Sequence, residues 1–255
     1  MTNHARNTKR PSLFWLVTEP GRALTEWGLN ISLQKIAPAR ANGDGHPVMV
    51  LPGFMTSHTS TKPLRDYIAQ LGYEVFDWGL GRNLGKVEYM ELLLESLDEI
   101  YQLRQREISL VGWSLGGVFA RQLAKERPDI IRQVITLGSP FAGLTEPNNV
   151  EWIYTLISGG RKAGNTNHYL LENLPLPAPL PTTAVFSRED GVVAWQTCME
   201  QAPGPLHQNI QVRGSHLGLG VNPGVWAVIA DRLQYDKHNW KPFEAKGILQ
   251  QLWLD

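Results

Sequence analysis

The stretch Ile108-Ser-Leu-Val-Gly112-Trp113-Ser114-Leu115-Gly116-Gly117 determines how this chain is interpreted. A short apolar run typical of a buried strand ends at a serine, and a helical pattern (Val118-Phe-Ala-Arg-Gln-Leu-Ala) begins directly after it. The G-x-S-x-G spacing is typical of a sharp strand-to-helix turn, with small residues where side chains would collide. Ser114 is expected to adopt strained backbone angles that lift its hydroxyl onto the N-terminus of the helix. It is the candidate nucleophile.

Outward from this turn, short apolar strands alternate with helices. Strands are predicted at residues 48–51, 73–76, 107–111, 133–137, 182–186 and 209–213, and helices at 61–71, 88–104, 118–127 and 224–233. This alternation predicts an α/β fold, with a mostly parallel sheet of about six strands that is covered by helices on both faces. The pattern indicates neither an internal repeat nor a second independent domain.

Two segments stand outside the alternation. Residues 1–46 form an N-terminal arm in which Leu24, Trp27 and Ile31 recur at helical spacing, which predicts one amphipathic helix. We expect this arm to pack onto the main domain; a membrane-contacting or dimerising helix is the alternative. Residues 139–181 place an apolar segment between flexible ends, which predicts a cap or lid over a pocket. An ordinary crossover connection is the alternative there.

Composition excludes several classes of function. The 255 residues, of which 42% are hydrophobic, suffice for one large domain with a sizeable core. The 24 basic and 24 acidic residues cancel, so the net charge implies no attraction to nucleic acid or to an anionic membrane, and no nucleic-acid partner is expected. A single cysteine, Cys198, excludes an internal disulfide and fits a reducing compartment. The apolar stretch at 13–17 is too short for a signal-peptide core or for a membrane span of about 20 residues, so a cytoplasmic protein is predicted. Histidine and cysteine spacings typical of metal sites do not occur, and no metal is expected.

Two polar residues follow later strands at the carboxyl edge of the predicted sheet, where ligands of α/β proteins gather. Asp190 follows the strand at 182–186, and His216 follows the strand at 209–213 in a glycine-flanked loop. A histidine with a pKa near ~6.5 can take the proton of the Ser114 hydroxyl, and a carboxylate can hold the ring in the useful tautomer. Glu189 adjoins Asp190, but neighbouring side chains point apart, so only one of them is expected to face the ring. Asp190 is the one predicted.

Attack by a serine on a carbonyl group creates a negative charge that needs hydrogen-bond donors. The backbone N–H of Leu115 is expected to be one donor. The second is expected from the loop after the strand at 48–51, as the N–H of Phe54 or, alternatively, that of Met55. An apolar substrate pocket is predicted as well. Its proposed lining residues are Met55, Trp113, Trp152, Tyr154 and Ile157.

These motifs resemble those of the α/β-hydrolase superfamily over about residues 46–235. The resemblance depends on Val48–Phe54, Gly112–Gly116, Asp190-Gly-Val-Val and Gly214-Ser-His216, and it is strongest to bacterial lipases and carboxylesterases. It implies an α/β-hydrolase domain over 47–255 and serine-dependent ester hydrolysis without a metal or organic cofactor. The chain departs from the pattern where Pro52-Gly53 replaces the lipase-type His-Gly. Little room remains for the first strands of the superfamily, so the arm is expected to cover an exposed sheet edge.

Three hypotheses of function follow. A hydrolase that cleaves carboxylic esters with an apolar acyl part, small-molecule or lipid-like, through an acyl-enzyme is preferred because the predicted pocket is apolar. A thioesterase or acyltransferase with the same three residues is the alternative, and the sequence barely separates it from the first. A non-catalytic ligand-binding protein on the same fold is the third, and the intact serine, aspartate and histidine disfavour it.

Overall fold

In the computed structural model, which describes residues 10–36, 42–142, 173–201 and 203–245, six parallel strands form one sheet. The strands are β1 (Pro47–Leu51), β2 (Glu74–Asp77), β3 (Ile108–Trp113), β4 (Ile131–Leu137), β5 (Thr182–Phe186) and β6 (His207–Gln211). The α-helices are α1 (Leu13–Ile36), α2 (His58–Gln70), α3 (Tyr89–Arg104), α4 (Leu115–Glu126) and α5 (Pro223–Arg232), and Trp195–Cys198 form a 3-10 turn. The prediction of an α/β fold with a six-stranded parallel sheet is confirmed.

The strand order places the carboxyl ends of β1 and β3 side by side. In the order β2-β1-β3-β4-β5-β6, the chain leaves β1 toward one edge and returns to β3 on the other side. The register pairs Leu51 at the end of β1 with Gly112 near the end of β3. Loops that leave such neighbouring strands diverge and open a crevice, which is where open α/β sheets bind ligands. The topology therefore selects the loops after β1 and β3 as walls of a site.

Two apolar layers enclose the sheet, and alternation within β1 shows how they form. Met49 and Leu51 face the layer that contains helices α3 and α4, whereas Val48 and Val50 face the layer that contains α2 and α5. All five residues of β1 are buried, as expected when helices cover both faces of a parallel sheet. The central strands are therefore held rigidly at the carboxyl edge of the sheet.

Helix α1 lies differently from what the sequence suggested. It packs against α5 and against the loops that follow β5 and β6, whereas it was expected to cover an exposed sheet edge. The apolar residues that predicted the helix, Leu24, Trp27 and Ile31, are exposed, whereas the polar residues Glu19 and Asn30 are buried. Among the described residues, no helix is both long enough and apolar enough to cross a bilayer.

Candidate active site

The turn after β3 holds Ser114 in a strained conformation. Its backbone has φ 52° and ψ −121°, which non-glycine residues rarely adopt, and α4 begins at the next residue. A Cβ on Gly112 would lie 2.3 Å from the Cα of Gly117, and a Cβ on Gly116 would lie 2.3 Å from the carbonyl oxygen of Leu51. Only glycine fits at these positions because strand, helix and the end of β1 approach so closely. The helix was predicted to begin at residue 118 but begins at Leu115, because the turn at Ser114 leads directly into it.

Ser114, His216 and Asp190 form one chain of hydrogen bonds. Nε2 of His216 lies 3.0 Å from Oγ of Ser114, and Nδ1 of His216 lies 2.6 Å from Oδ2 of Asp190. The other oxygen of Asp190 accepts from the N–H groups of Val192 and Val193, which fixes the carboxylate. All three side chains are buried. The structure therefore brings the three predicted residues together, and a ring between hydroxyl and carboxylate is an arrangement that can remove a proton from the hydroxyl.

Charges around His216 favour its protonated form. Burial lowers the pKa of His216, but the charge and hydrogen bond of Asp190 and the charge of Glu19 outweigh that effect, so the pKa is raised above its ordinary value. The imidazolium that forms when the ring takes a proton is thus stabilised before any substrate binds. This is the electrostatic property that a general base opposite a serine needs.

The carboxylate of Glu19 on α1 is a part of the site that sequence reasoning missed. Oε1 of Glu19 accepts hydrogen bonds from the N–H of Gly191 (2.8 Å) and the N–H of His216 (3.0 Å), and Oε2 accepts from the N–H of Leu217 (2.8 Å). Its side chain is 2% exposed and pairs with Arg22. One buried carboxylate therefore joins the loop that carries Asp190 to the loop that carries His216.

Two more residues of α1 contact the loop that carries His216, at residues 214–222. Oε1 of Glu26 accepts from the N–H of Ser215 at 2.7 Å, and Nδ2 of Asn30 donates to the carbonyl of Val221 at 2.6 Å. Burial raises the pKa of Glu26, although hydrogen bonds from Asn222 and Ser215 oppose the change. Glu19, Glu26 and Asn30 are seven and four residues apart, which places them on one helical face. That spacing is the signal in the sequence that could have identified them.

The loop after β1 lies against Ser114. A Cβ on Gly53 would be 3.3 Å from the Cβ of Ser114, so only a small residue lets the loop approach. The N–H of Met55 donates to the carbonyl oxygen of Asn83 at 2.7 Å, so it is already used within the protein. This use disfavours Met55 as a donor to a substrate, and Phe54 and Leu115, at the start of α4, stay the predicted donors. Their role as donors stays a prediction.

The glycine-rich loop after β2 supports the loop after β1. Asn83, which is fully buried, donates from Nδ2 to the carbonyl oxygen of Pro52 at 2.8 Å, and its own N–H donates to the carbonyl of Thr56. Its side-chain oxygen also accepts from the N–H of Gly85. Asn83 therefore fixes the backbone on both sides of Phe54, a role that no sequence motif indicated.

An apolar cleft borders the helix that follows Ser114. Its walls include Leu115, Val118 and Phe119 of α4, Met90 of α3, and Leu174. Two of the side chains predicted to line a pocket are not part of it. Trp113 packs within the apolar layer beside α5 and donates from Nε1 to the carbonyl oxygen of His216 at 3.1 Å, because residue 113 still belongs to β3 and points to the opposite face. Met55 is half exposed at the rim of the site.

The remaining pocket predictions, Trp152, Tyr154 and Ile157, lie outside the described residues, as does most of the segment 139–181 that was predicted to be a cap. Within the part of the chain that the structure describes, no group of three or more histidine, cysteine, aspartate or glutamate side chains could hold a metal ion.

A second histidine makes similar contacts at the other end of the strands, where β1 and β3 begin. Nδ1 of His46 lies 2.6 Å from Oδ1 of Asp44, and its Nε2 lies 2.8 Å from Oγ of Ser109. Both His46 and Ser109 are 0% exposed, and Ser109 lies within β3. Burial lowers the pKa of His46 to about 4, with Arg132 and Arg106 also lowering it against the opposing effect of Asp44. Because His46 and Ser109 are fully buried, a substrate cannot reach them, and they can be compared with His216 and Ser114.

Comparisons with known proteins identify the fold. No protein-family model and no curated protein sequence matches the chain. Among solved structures, it is similar to lipase B of Aspergillus fumigatus, with a TM-score of 0.60 and 19% identity over 79% of this chain, and it spans 55% of that lipase. It is also similar to the monoacylglycerol lipase of Paleococcus ferrophilus, with a TM-score of 0.54 and 17% identity over 73% of this chain and 93% of the lipase. Mouse alpha/beta hydrolase domain-containing protein 10 gives a TM-score of 0.54 and 18% identity over 76% of this chain and 90% of its own. The chain therefore has the α/β-hydrolase fold.

Proposed function

We propose that this protein, whose fold is that of the α/β-hydrolases, hydrolyses carboxylic esters with an apolar acyl part through an acyl-enzyme on Ser114. The observation that carries the proposal is the hydrogen-bonded chain from Ser114 through His216 to Asp190, set at a strained turn before a helix. The apolar cleft beside α4 supports an apolar acyl group. The similar structures that are lipases by name are consistent with the same chemistry.

In the first half of the proposed reaction, Oγ of Ser114 attacks the ester carbonyl carbon while its proton moves to Nε2 of His216. The carbonyl oxygen becomes negatively charged, and the N–H groups of Leu115 and Phe54 donate hydrogen bonds to it. When the tetrahedral intermediate collapses, the bond to the alcohol oxygen breaks, and His216 returns its proton to that oxygen. The acyl group remains on Ser114.

In the second half, His216 takes a proton from water, and the hydroxide attacks the acyl carbon. Collapse of this intermediate releases the acid, and the proton on the ring returns to Oγ of Ser114. Asp190 holds the ring with Nδ1 protonated in both halves and stabilises the imidazolium. No metal or organic cofactor enters either half.

A fluorophosphonate probe, which reacts with activated serines, tests the proposal. We expect labelling of the native protein and none of Ser114→Ala. Ser109→Ala is the matched control because Ser109 also contacts a histidine but is inaccessible; it should label like the native protein. Failure of the native protein to label, or labelling that persists in Ser114→Ala, would contradict the assignment. A panel of p-nitrophenyl esters with increasing acyl length then tests whether an apolar acyl group is preferred.

A further inference from the structure

Helix α1 is amphipathic in the reverse of the usual sense, because its polar side faces the protein. Glu19 and Asn30, on the inner side, are each 1% exposed and bonded to the loop that carries His216. The rest of the helix surface carries large apolar residues that are exposed to water. They are Leu13, Phe14, Leu16, Val17, Leu24, Trp27, Leu29 and Ile31, which we call the outer face of α1. A helix that exposes such a stripe has an unpartnered binding surface.

Exposed apolar side chains also form a rim at the carboxyl ends of the strands, where the proposed active site lies. Fifteen large apolar side chains are exposed in the described part of the chain, and eight of them form the outer face. Four more lie on loops that leave the carboxyl ends of strands, namely Met55, Leu84, Val192 and Leu217. Leu217 adjoins His216, and its N–H is bonded to Glu19 of α1. Twelve of the fifteen exposed apolar side chains therefore lie on α1 or on this rim, and α1 is bonded to the loop that carries Leu217.

Charges in and around α1 indicate what this surface binds. Its only acidic residues, Glu19 and Glu26, are turned inward and hydrogen-bonded to the loop at 214–222. The outward charges are basic: Arg10 precedes the helix and Lys35 lies in its last turn, both exposed, and the sequence adds Arg6 and Lys9 before Arg10. An apolar stripe with aromatic residues, flanked by cations and free of exposed carboxylates, is complementary to an anionic lipid surface.

Pairing with a second copy of α1 fits these observations less well. Helix pairs are usually stabilised by opposite charges beside the apolar stripe. The residues beside this stripe include Gly21, Thr25, Gly28 and Ser32, which offer no such charges, and Pro20 lies within the stripe.

We propose that the outer face of α1 docks onto anionic lipid bilayers, lying in the plane of the membrane surface. Docking there would place the rim around Ser114 against the lipid, from which an apolar ester can enter without crossing water. The inner face of α1 would remain bonded to the loop of His216. This proposal concerns binding and stands whether or not the protein is an esterase.

Cosedimentation of the full chain with vesicles tests the docking surface. We expect binding to vesicles of phosphatidylcholine mixed with phosphatidylglycerol to be about tenfold stronger than to phosphatidylcholine alone, and to weaken with added salt. The double variant Val17→Asp, Leu24→Asp changes side chains that are 78% and 66% exposed, and should lower binding by about tenfold or more. The matched control is Leu103→Asp on α3, where the side chain is 71% exposed and away from the rim; its binding should equal that of the native protein.

Thermal unfolding, measured in parallel, shows whether the variants are folded, and their Tm should equal that of the native protein. If the double variant had a lower Tm, the single variant Leu13→Asp, at the first residue of the helix, would be used instead. Ser114→Ala should bind vesicles like the native protein, so a failure of the proposed chemistry would leave this result intact. Absence of vesicle binding by the native protein would overturn the proposal. If the native protein were a dimer that Leu24→Asp dissociates, the outer face would instead be a self-association surface. If vesicle binding appeared only after removal of residues 246–255, the outer face would instead be the binding site of those residues.

Discussion

Removal of the Glu19 carboxylate should lower the stability of the protein and shift the pH dependence of the proposed site. Glu19 accepts from three backbone N–H groups, on Gly191, His216 and Leu217. A hydrogen bond to a charged group contributes about 1.5–3 kcal/mol, and a buried N–H left without a partner is costly. The three bonds share two oxygens, so they are not independent, and Arg22, at 21% exposed, can turn to water. For Glu19→Ala we therefore expect a loss of about 3–5 kcal/mol, near the upper limit for single substitutions.

Glu19→Gln separates the effect of charge from the effect of shape. Glutamine keeps one acceptor oxygen for the N–H groups of Gly191 and His216 but places an NH2 group opposite the N–H of Leu217, so about 1–3 kcal/mol should be lost. The charge of Glu19 helps to raise the pKa of His216, and His216 must be neutral to act as a base. Without that charge the pKa of His216 falls, so the acid limb of kcat/KM should move to lower pH.

Two measurements check these expectations on a soluble ester substrate. Thermal unfolding of Glu19→Ala should show a Tm lower by roughly 10 °C for a chain of this size. The pH profile of kcat/KM for Glu19→Gln should show the displaced acid limb. Glu95, exposed on α3, is the matched control, and Glu95→Ala and Glu95→Gln should behave like the native protein. If both Glu19 variants kept the native Tm and the native acid limb, the reasoning that α1 holds the two loops would be refuted.

Three further outcomes are expected. Ser114→Ala and His216→Ala should each lower kcat by a similar factor of about 10⁴–10⁶, because the residues act as a unit; a double variant far worse than either single one would contradict this. Trp113→Phe removes the hydrogen bond to the carbonyl oxygen of His216 and should cost about 1–2 kcal/mol of stability and lower kcat more than it changes KM, measured by urea unfolding and steady-state kinetics. The pKa of His46 is about 4 in the folded protein, against about 6.5 in the unfolded chain. Between these pH values the unfolded chain binds more protons than the folded protein. The free energy of unfolding should therefore fall by up to about 1.4 kcal/mol per pH unit as the pH drops through this range. His46→Asn should flatten that dependence in urea titrations, and an unchanged slope would argue against the buried neutral ring.

The order of strands and helices was predictable because burial on both faces leaves a plain trace in the sequence. The central strands contain apolar runs, unbroken in β1 at 47–51, and packing forces glycine at residues 112 and 116, where a Cβ would overlap backbone atoms. The residues after strand ends were predictable for a related reason. In a parallel sheet the loops after β3, β5 and β6 all leave at the carboxyl ends of the strands, so Ser114, Asp190 and His216 were expected on the same side of the molecule.

The part played by α1 was not predictable from local patterns. Apolar residues at helical spacing normally mark the buried side of a helix, and here they mark the exposed side. The inner contacts of Glu19 are made to backbone N–H groups more than 170 residues away. Backbone donors are the same whatever the side chain, so nothing in residues 190–217 indicates that they await a carboxylate. Trp113 was misplaced for a different reason: its neighbour in sequence is Ser114, but alternation along β3 directs its ring to the other face of the sheet.

The two histidine sets show that hydrogen-bond distances alone do not define a hydrolytic site. His46 contacts a carboxylate and a serine as closely as His216 does. The pKa values of the two rings are shifted in opposite directions. Burial, followed by Arg132 and Arg106, lowers the pKa of His46 against the effect of Asp44, whereas Asp190 and Glu19 of α1 raise the pKa of His216 against the effect of its burial. A ring that resists protonation cannot hold the proton of an attacking hydroxyl, and Ser109, inside a strand, has no helix N-terminus above it. If Ser109→Ala lowered esterase activity as much as Ser114→Ala, this distinction would fail, and with it the use of charge to assign the base.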